Sequence, residues 1–247
     1  MQSNGRVDYT TIPETIDETL VQESYPYIPN LNKFIESYLR STEPVLILVG
    51  APGTGKTKLL RHVVRNIANK LIASSGRAEM DIPLCNPYNA NGDHFTPTFA
   101  YTNDSKAVSF DEIFVDFIGD GDIQGLVLED MDSTLKPRTD GNDIMSKLLS
   151  SSDGFISNYN KKMILTSNIV NINTIDAAFK RPGRCYGMVK TRKLNKNESL
   201  DLLQVIAPDQ ADKLSISTRE EYTIAELYKL ARESVLSTQD NVNVIGF

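Results

Sequence analysis

The chain has no tryptophan, and only two cysteines and two histidines among its 247 residues. Cys85 and Cys185 have no CxxC spacing, and His62 and His94 add too little to assemble a zinc site. Both thiols are expected to be small buried or surface groups without chemistry. Long apolar runs are also missing: nothing approaches the roughly 20 residues that a membrane-spanning helix needs. The polar stretch Met1–Thr11 has no apolar signal core. A soluble, cytoplasmic protein without a membrane partner is therefore expected. No block of like charge stands out, and the net charge is −6 with a pI near 5.1. That balance disfavours a protein whose main affinity is for the phosphates of long DNA or RNA.

Short apolar runs alternate with helical periodicity, the pattern of an α/β domain with a mostly parallel sheet flanked by helices. Val45–Val49 is continuously apolar, as a strand buried on both faces should be. After it, Leu59, Leu60, Val63, Val64, Ile67, Ala68, Leu71 and Ile72 fall in steps that lay one apolar stripe along a helix. Further strands are expected at Thr98–Thr102, Leu126–Leu128 and Met163–Thr166, with a fifth beginning near Arg184. Ser109-Phe110-Asp111-Glu112 has the form of a capping box opening a helix. A second helix is expected to end near Asp153-Gly154. Beyond Thr191 the character turns helical at Asn197–Val205 and Thr223–Glu233, without a further clear strand. The expected organisation is an arm or tail over 1–24, an α/β domain over 25–191, and a small helical lid domain with a tail over 192–247.

Gly50-Ala51-Pro52-Gly53-Thr54-Gly55-Lys56-Thr57 satisfies G-x-x-x-x-G-K-[ST] at every fixed position, between a buried strand and an amphipathic helix. Glycines let such a loop turn successive N–H groups towards phosphate oxygens, and the following helix adds its positive end. Lys56 is expected on the β- and γ-phosphates and Thr57 on Mg²⁺. Lys58 completes the expected nucleotide contacts, so ATP and Mg²⁺ are the expected ligands. Hydrolysis also needs a carboxylate near the metal and a group that activates water. Glu129-Asp130 leaves the apolar strand Leu126–Leu128 at the edge where parallel sheets gather ligands. Asp132 is also nearby, and a structural role, capping a helix or a loop, is expected of it rather than a part in the reaction.

Four blocks in order then resemble one family. The phosphate loop and the Glu129-Asp130 strand end are followed by Met163-Ile164-Leu165-Thr166-Ser167-Asn168. After these comes Ile175-Asp176-Ala177-Ala178-Phe179-Lys180-Arg181-Pro182-Gly183-Arg184. Together they resemble the core of AAA ATPases. The resemblance implies that Glu129 sits in the metal position, Asp130 in the catalytic position, and Asn168 is the sensor that helps place the attacking water. It implies that Arg181 and Arg184 reach into a neighbouring subunit's ATP site. It implies self-assembly into a ring, with six subunits as the family expectation, acting on a protein or nucleoprotein substrate.

The departures bear on mechanism. The Glu-Asp order inverts the family's usual Asp-Glu. Asn103–Val108 has no aromatic residue where threading members carry a pore loop, so a grip on unfolded polypeptide is not expected there. The lid segment Tyr222–Leu227 lacks the family's glycine, and no lid residue is assigned to catalysis. Two alternatives stay open beside a remodelling ATPase. One is a nucleotide-gated scaffold with slow hydrolysis. The other is a nucleic-acid motor or clamp-loader-like switch, against which the acidic composition counts.

Overall fold

A computed structural model describes residues 20–75, 98–105, 108, 112–120, 123–137, 161–177, 183, 185–215 and 218–238. The start of the capping box at Ser109 and the helix expected to end near Asp153-Gly154 lie outside these residues. Arg181 and Arg184 lie outside them as well.

Five strands form one parallel sheet: β1 (Val45–Val49), β2 (Thr98–Thr102), β3 (Ile123–Leu128), β4 (Lys162–Ser167) and β5 (Cys185–Lys190), in the order β2-β3-β4-β1-β5. The burial pattern explains that order. β1, β3 and β4 are buried at every residue and occupy the centre, whereas edge strands β2 and β5 are only partly covered.

Successive side chains point to opposite faces, so each apolar strand feeds two cores. Leu46, Leu48, Val127 and Ile164 share one core with helices α1 (Leu31–Arg40) and α2 (Lys56–Ser75). Val45, Ile47, Val49, Leu126, Leu128, Met163 and Leu165 share the other with α3 (Glu112–Gly119). Within α2 the expected stripe is buried at Leu59, Leu60, Val63, Val64 and Ile67. This is the α/β sheet flanked by helices that the alternating pattern implies.

The same alternation sorts two adjacent lysines at the start of β4. Lys161 donates to the carbonyls of Phe117 and Asp120 at the end of α3. Lys162 goes to the other face, where Nζ donates to Ser41 O at 2.6 Å, at the end of α1. Cations at helix carboxyl ends satisfy orphan carbonyls and complement the macrodipole.

Helix α1 adds to the expected elements, although its signals are local. Asn30 caps it by accepting from Lys33 N at 2.8 Å, and Leu31, Ile35 and Tyr38 are buried on one face. The carboxyl-terminal part holds α4 (Lys196–Ile206), α5 (Pro208–Ser215) and α6 (Ile224–Thr238). It also holds a two-residue antiparallel ladder, β6 (Leu194–Asn195) with β7 (Glu221–Tyr222), too short to give a strand pattern in sequence. Asn195 and Glu198 form a capping box on α4. Thr223 and Glu226 form the equivalent pair on α6: Thr223 N donates to Glu226 Oε2 at 2.7 Å and Glu226 N to Thr223 Oγ1 at 3.2 Å. Leu202, Leu203, Ala211, Ile224 and Leu227 join the core that covers α1 and α2, so the helical part shares that core.

Of residues 1–24, those from Leu20 onward are described. Gln22–Ser24 forms a single 3₁₀ turn, and Ser24 Oγ lies 3.0 Å from Tyr228 Oη on α6. Among the described residues, no helix is long and apolar enough to cross a membrane.

Candidate nucleotide site

Three loops meet at the carboxyl edge of the sheet because β1, β3 and β4 are neighbours there. Gly50–Gly55 connects β1 to α2, Glu129–Asp130 follows β3, and Asn168 follows β4.

The β1 loop is bent by glycines that nothing else could replace. Gly50 has φ +149°, and a Cβ on it would lie 2.2 Å from the Thr191 carbonyl oxygen. Gly55, at φ +89°, lies so close to Tyr25 and Ile224 that a Cβ would meet them at 2.8 and 2.9 Å. Tyr25, fully buried, donates its hydroxyl to Gly55 O at 2.8 Å. The amino end of α6 closes on the same loop, with Ala225 N donating to Gly53 O at 3.1 Å.

Lys56 opens α2 and is buried to 7% exposure. Its ammonium donates to Gly50 O at 2.7 Å, Ala51 O at 3.1 Å and Asn168 Oδ1 at 2.9 Å. Burial lowers its pKa, and the carboxylates of Asp130, Asp132 and Glu129 pull the other way. Thr57 Oγ1 donates to Glu129 Oε1 at 2.7 Å. Lys58 turns elsewhere: its ammonium sits 3.3 Å from the ring centroid of Tyr228, a cation–π contact with α6.

Asp130 has φ +55°, and it is the one non-glycine residue with positive φ among those described. That left-handed conformation costs an L-residue about 1–2 kcal/mol, less for Asp. It is held because Asp130 N donates to Thr166 Oγ1 at 3.0 Å and the next amide, Met131 N, to Thr166 O at 2.9 Å. The carboxylate then meets Asn168, whose Nδ2 donates to Asp130 Oδ1 at 3.1 Å. Lys56, Asn168 and Asp130 thus form one continuous polar chain, and Thr57–Glu129 lies beside it.

Two further residues bear on the site. Asp132 does cap a loop, and that loop carries the sensor position: its Oδ1 accepts from Ser167 Oγ at 2.7 Å and Asn168 N at 2.6 Å. Tyr101 carried no sequence signal. It pairs with Val127 in the β2–β3 register, and Glu129 lies two residues on, on the same face. Its hydroxyl donates to Glu129 Oε2 at 2.9 Å, so both carboxylate oxygens are held. Burial, followed by the Glu129 carboxylate, pushes the Tyr101 phenol up to about 12.

The donor set fits a nucleotide with a hard cation. Carbonyls of Gly50 and Ala51 turn inward to Lys56, which leaves loop N–H groups for phosphate oxygens. The Thr57 hydroxyl and a Glu129 oxygen stand together as oxygen ligands suited to Mg²⁺. Among the described residues no group of three or more His, Cys, Asp or Glu could hold a metal by itself. A cation here would also need phosphate or water oxygens, as Mg²⁺ generally does.

Comparison with known proteins agrees with this geometry. The model of the ATPase family associated with various cellular activities (AAA) matches residues 46–193, more than half of the chain. The 26S proteasome regulatory subunit 8 homolog of Encephalitozoon cuniculi (strain GB-M1) is 31% identical over 161 residues, covering 65% of this chain and 37% of that protein. Its namesake from Naegleria fowleri is 30% identical over 169 residues, covering 65% of this chain and 36% of its own length. The chain therefore spans little more than a third of the length of these curated relatives. With the family's strand-loop-helix and its polar strand ends in place, the chain belongs to the AAA family of ATPases.

Proposed function

We propose that the chain is an Mg²⁺-dependent ATPase that works as a ring, with six subunits as the family expectation, on a protein or nucleoprotein partner. The polar chain Lys56–Asn168–Asp130 carries the reading, because it joins a phosphate-binding ammonium to a carboxylate through one amide. Bound Mg²⁺–ATP supplies the electrophilic γ-phosphorus and a stabilised leaving group. Lys56 gives up the carbonyls of Gly50 and Ala51 for phosphate oxygens. Thr57 and Glu129 hold the cation, and Tyr101 keeps the Glu129 carboxylate in place. Asn168 engages Asp130 Oδ1, which leaves Oδ2 to take the proton from the attacking water.

The inverted acid pair fits this division. Glutamate is the longer side chain, and Tyr101 and Thr57 hold it at both oxygens. Aspartate is the shorter one, and a left-handed backbone and Asn168 set its position. Arg181 and Arg184 act on the neighbouring subunit's site, where a guanidinium supplied in trans is worth roughly 10³–10⁵ in rate. The similar regulatory subunits of the 26S proteasome, named as parts of a larger assembly, support a macromolecular partner.

Hydrolysis per subunit should rise with protein concentration in the presence of Mg²⁺, in step with assembly measured by light scattering. A substantial rate from a species that scatters as a monomer would remove the trans arginines from the reaction. No hydrolysis at any concentration would overturn the enzyme reading in favour of a nucleotide-gated scaffold.

A further inference from the structure

Thr54 and Thr191 are buried threonines beside the phosphate loop, at 1% and 2% exposure, and their hydroxyl oxygens lie 2.6 Å apart. They come from opposite sides of it. Thr54 belongs to the loop, and Thr191 directly follows β5, the edge strand beside β1. Thr191 N donates to Val49 O at 2.7 Å, and its hydroxyl reaches the same oxygen at 3.1 Å. Thr54 Oγ1 also donates to Ala51 O at 2.6 Å, the carbonyl that Lys56 holds at 3.1 Å.

Each hydroxyl has one proton, so two arrangements keep a hydrogen bond between the pair. In one, Thr54 donates to Thr191 and Thr191 to Val49 O, which leaves Ala51 O to Lys56. In the other, Thr54 donates to Ala51 O and Thr191 donates to Thr54. Val49 O loses nothing in the second, because it keeps the Thr191 N–H. The second arrangement keeps a donor on the part-buried Ala51 carbonyl when Lys56 moves to a phosphate, with Thr191 holding the Thr54 oxygen that supplies it.

We propose that Thr191 is a positioning residue for nucleotide binding: it pins the phosphate loop to β5 by holding the Thr54 hydroxyl, the group that stays on the Ala51 carbonyl when Lys56 moves to a phosphate. This rests on the ATP-binding reading of the loop. Thr191 acts only through Thr54 and the backbone, so its loss weakens binding and leaves the chemical step alone.

The test measures the dissociation constant of a fluorescent ATP analogue with Mg²⁺ on the full chain, with hydrolysis kinetics alongside. Thr191→Val keeps the shape and removes the hydroxyl. It should weaken binding about three- to tenfold, the size of one lost hydrogen bond. KM should rise with kcat per assembled subunit nearly unchanged, and the nucleotide-free melting temperature should fall by only a few degrees, about the cost of one hydrogen bond. Thr191→Ser should restore wild-type affinity. In a Thr54→Ala background Thr191→Val should add little, because the two act as one unit. Unchanged affinity in Thr191→Val overturns the proposal, as does an equal additional loss in the Thr54→Ala background. If Thr191→Val does not fold, Thr191→Cys, a weak donor of similar size, takes its place, and unchanged affinity there overturns the proposal in the same way. Wild-type protein that binds no analogue overturns the ATP-binding reading itself, and this inference falls with it. That outcome is distinct from a wild type that binds and a variant that binds equally well.

Discussion

Lys56 and Lys162 are both buried lysines, the first opening α2 beyond the carboxyl end of β1 and the second at the start of the neighbouring strand β4. Burial is the leading cause that lowers the pKa of each. What surrounds them differs. Lys56 faces three carboxylates, Asp130, Asp132 and Glu129, and its hydrogen-bond acceptors are two loop carbonyls and a side-chain amide. Lys162 sits over the Tyr38 ring at 5.0 Å, donates to the last carbonyl of a helix, and has Lys70 depressing it further against Glu43. The first lysine is held by groups that a phosphate can replace, the second by groups that nothing replaces. A buried charge marks a working site when its partners are exchangeable and charges of opposite sign converge on it. It marks architecture when it closes a helix.

The largest test of that distinction is Lys56→Ala. Removing one preorganised positive group from a site of developing negative charge costs about 10²–10³ in rate, and here nucleotide affinity should fall as well. Hydrolysis should drop to the assay floor while the nucleotide-free melting temperature hardly moves. A variant that still hydrolyses ATP at near the wild-type rate would break the assignment of the whole corner. A variant that melts many degrees lower would place Lys56 with Lys162 as architecture.

How far each lysine could be understood from sequence follows the same line. The motif around Lys56 is local: a buried strand, spaced glycines and a helix within about fifteen residues, a strong combination. The strand cores of β1, β3 and β4 were legible because continuous apolar runs need no partner to be recognised. Glu129, Asp130 and Asn168 were legible as strand ends, and the structure brings them together around Lys56 and Thr57. Tyr101 and Thr191 were not. Their contacts depend on strand register across 28 residues in one case and 137 in the other, which no local spacing encodes. The caps made by Lys161 and Lys162 were equally hidden, since their acceptors lie 41 or more residues away. Asp132 shows a third situation: its capping role was legible, but the residue it positions was not.

Tyr101→Phe sharpens the carboxylate side of the comparison with a smaller effect. The tyrosine is 50% exposed, so its hydrogen bond competes with water. Losing one such bond should raise the Mg²⁺ concentration for half-maximal hydrolysis about two- to fivefold. The rate at saturating Mg²⁺ should stay close to wild type. An unchanged Mg²⁺ requirement would mean that Thr57 alone sets Glu129. A loss at saturating Mg²⁺ would place Tyr101 nearer to the reacting atoms than the geometry does.

Lys162→Met gives the smallest effect on activity and the clearest separation of the two lysines. The folded-state pKa of Lys162 is lowered from 10.5 to about 8. Between those values the unfolded chain holds more protons on this residue than the folded one, so its contribution to stability rises with pH from about 8 to about 10.5. Below about 8 both states are protonated, and the burial penalty is fully present and flat. At about 1.36 kcal/mol per pKa unit, the change across the window is roughly 2–3 kcal/mol. Methionine has no such dependence, and the donor lost from Ser41 O is a constant offset at every pH. The stability of Lys162→Met relative to wild type should therefore be most favourable at pH 7–8 and become less so by that amount towards pH 10.5. Urea unfolding at a series of pH values measures it. A relative stability that stays flat across the window would mean the ammonium reaches solvent in the folded state. One that improves with pH would reverse the sign of the burial effect. Because Ser41 ends α1 on the edge of the sheet away from the nucleotide corner, hydrolysis by Lys162→Met at pH 7 should match wild type, whereas Lys56→Ala should abolish it with the fold intact.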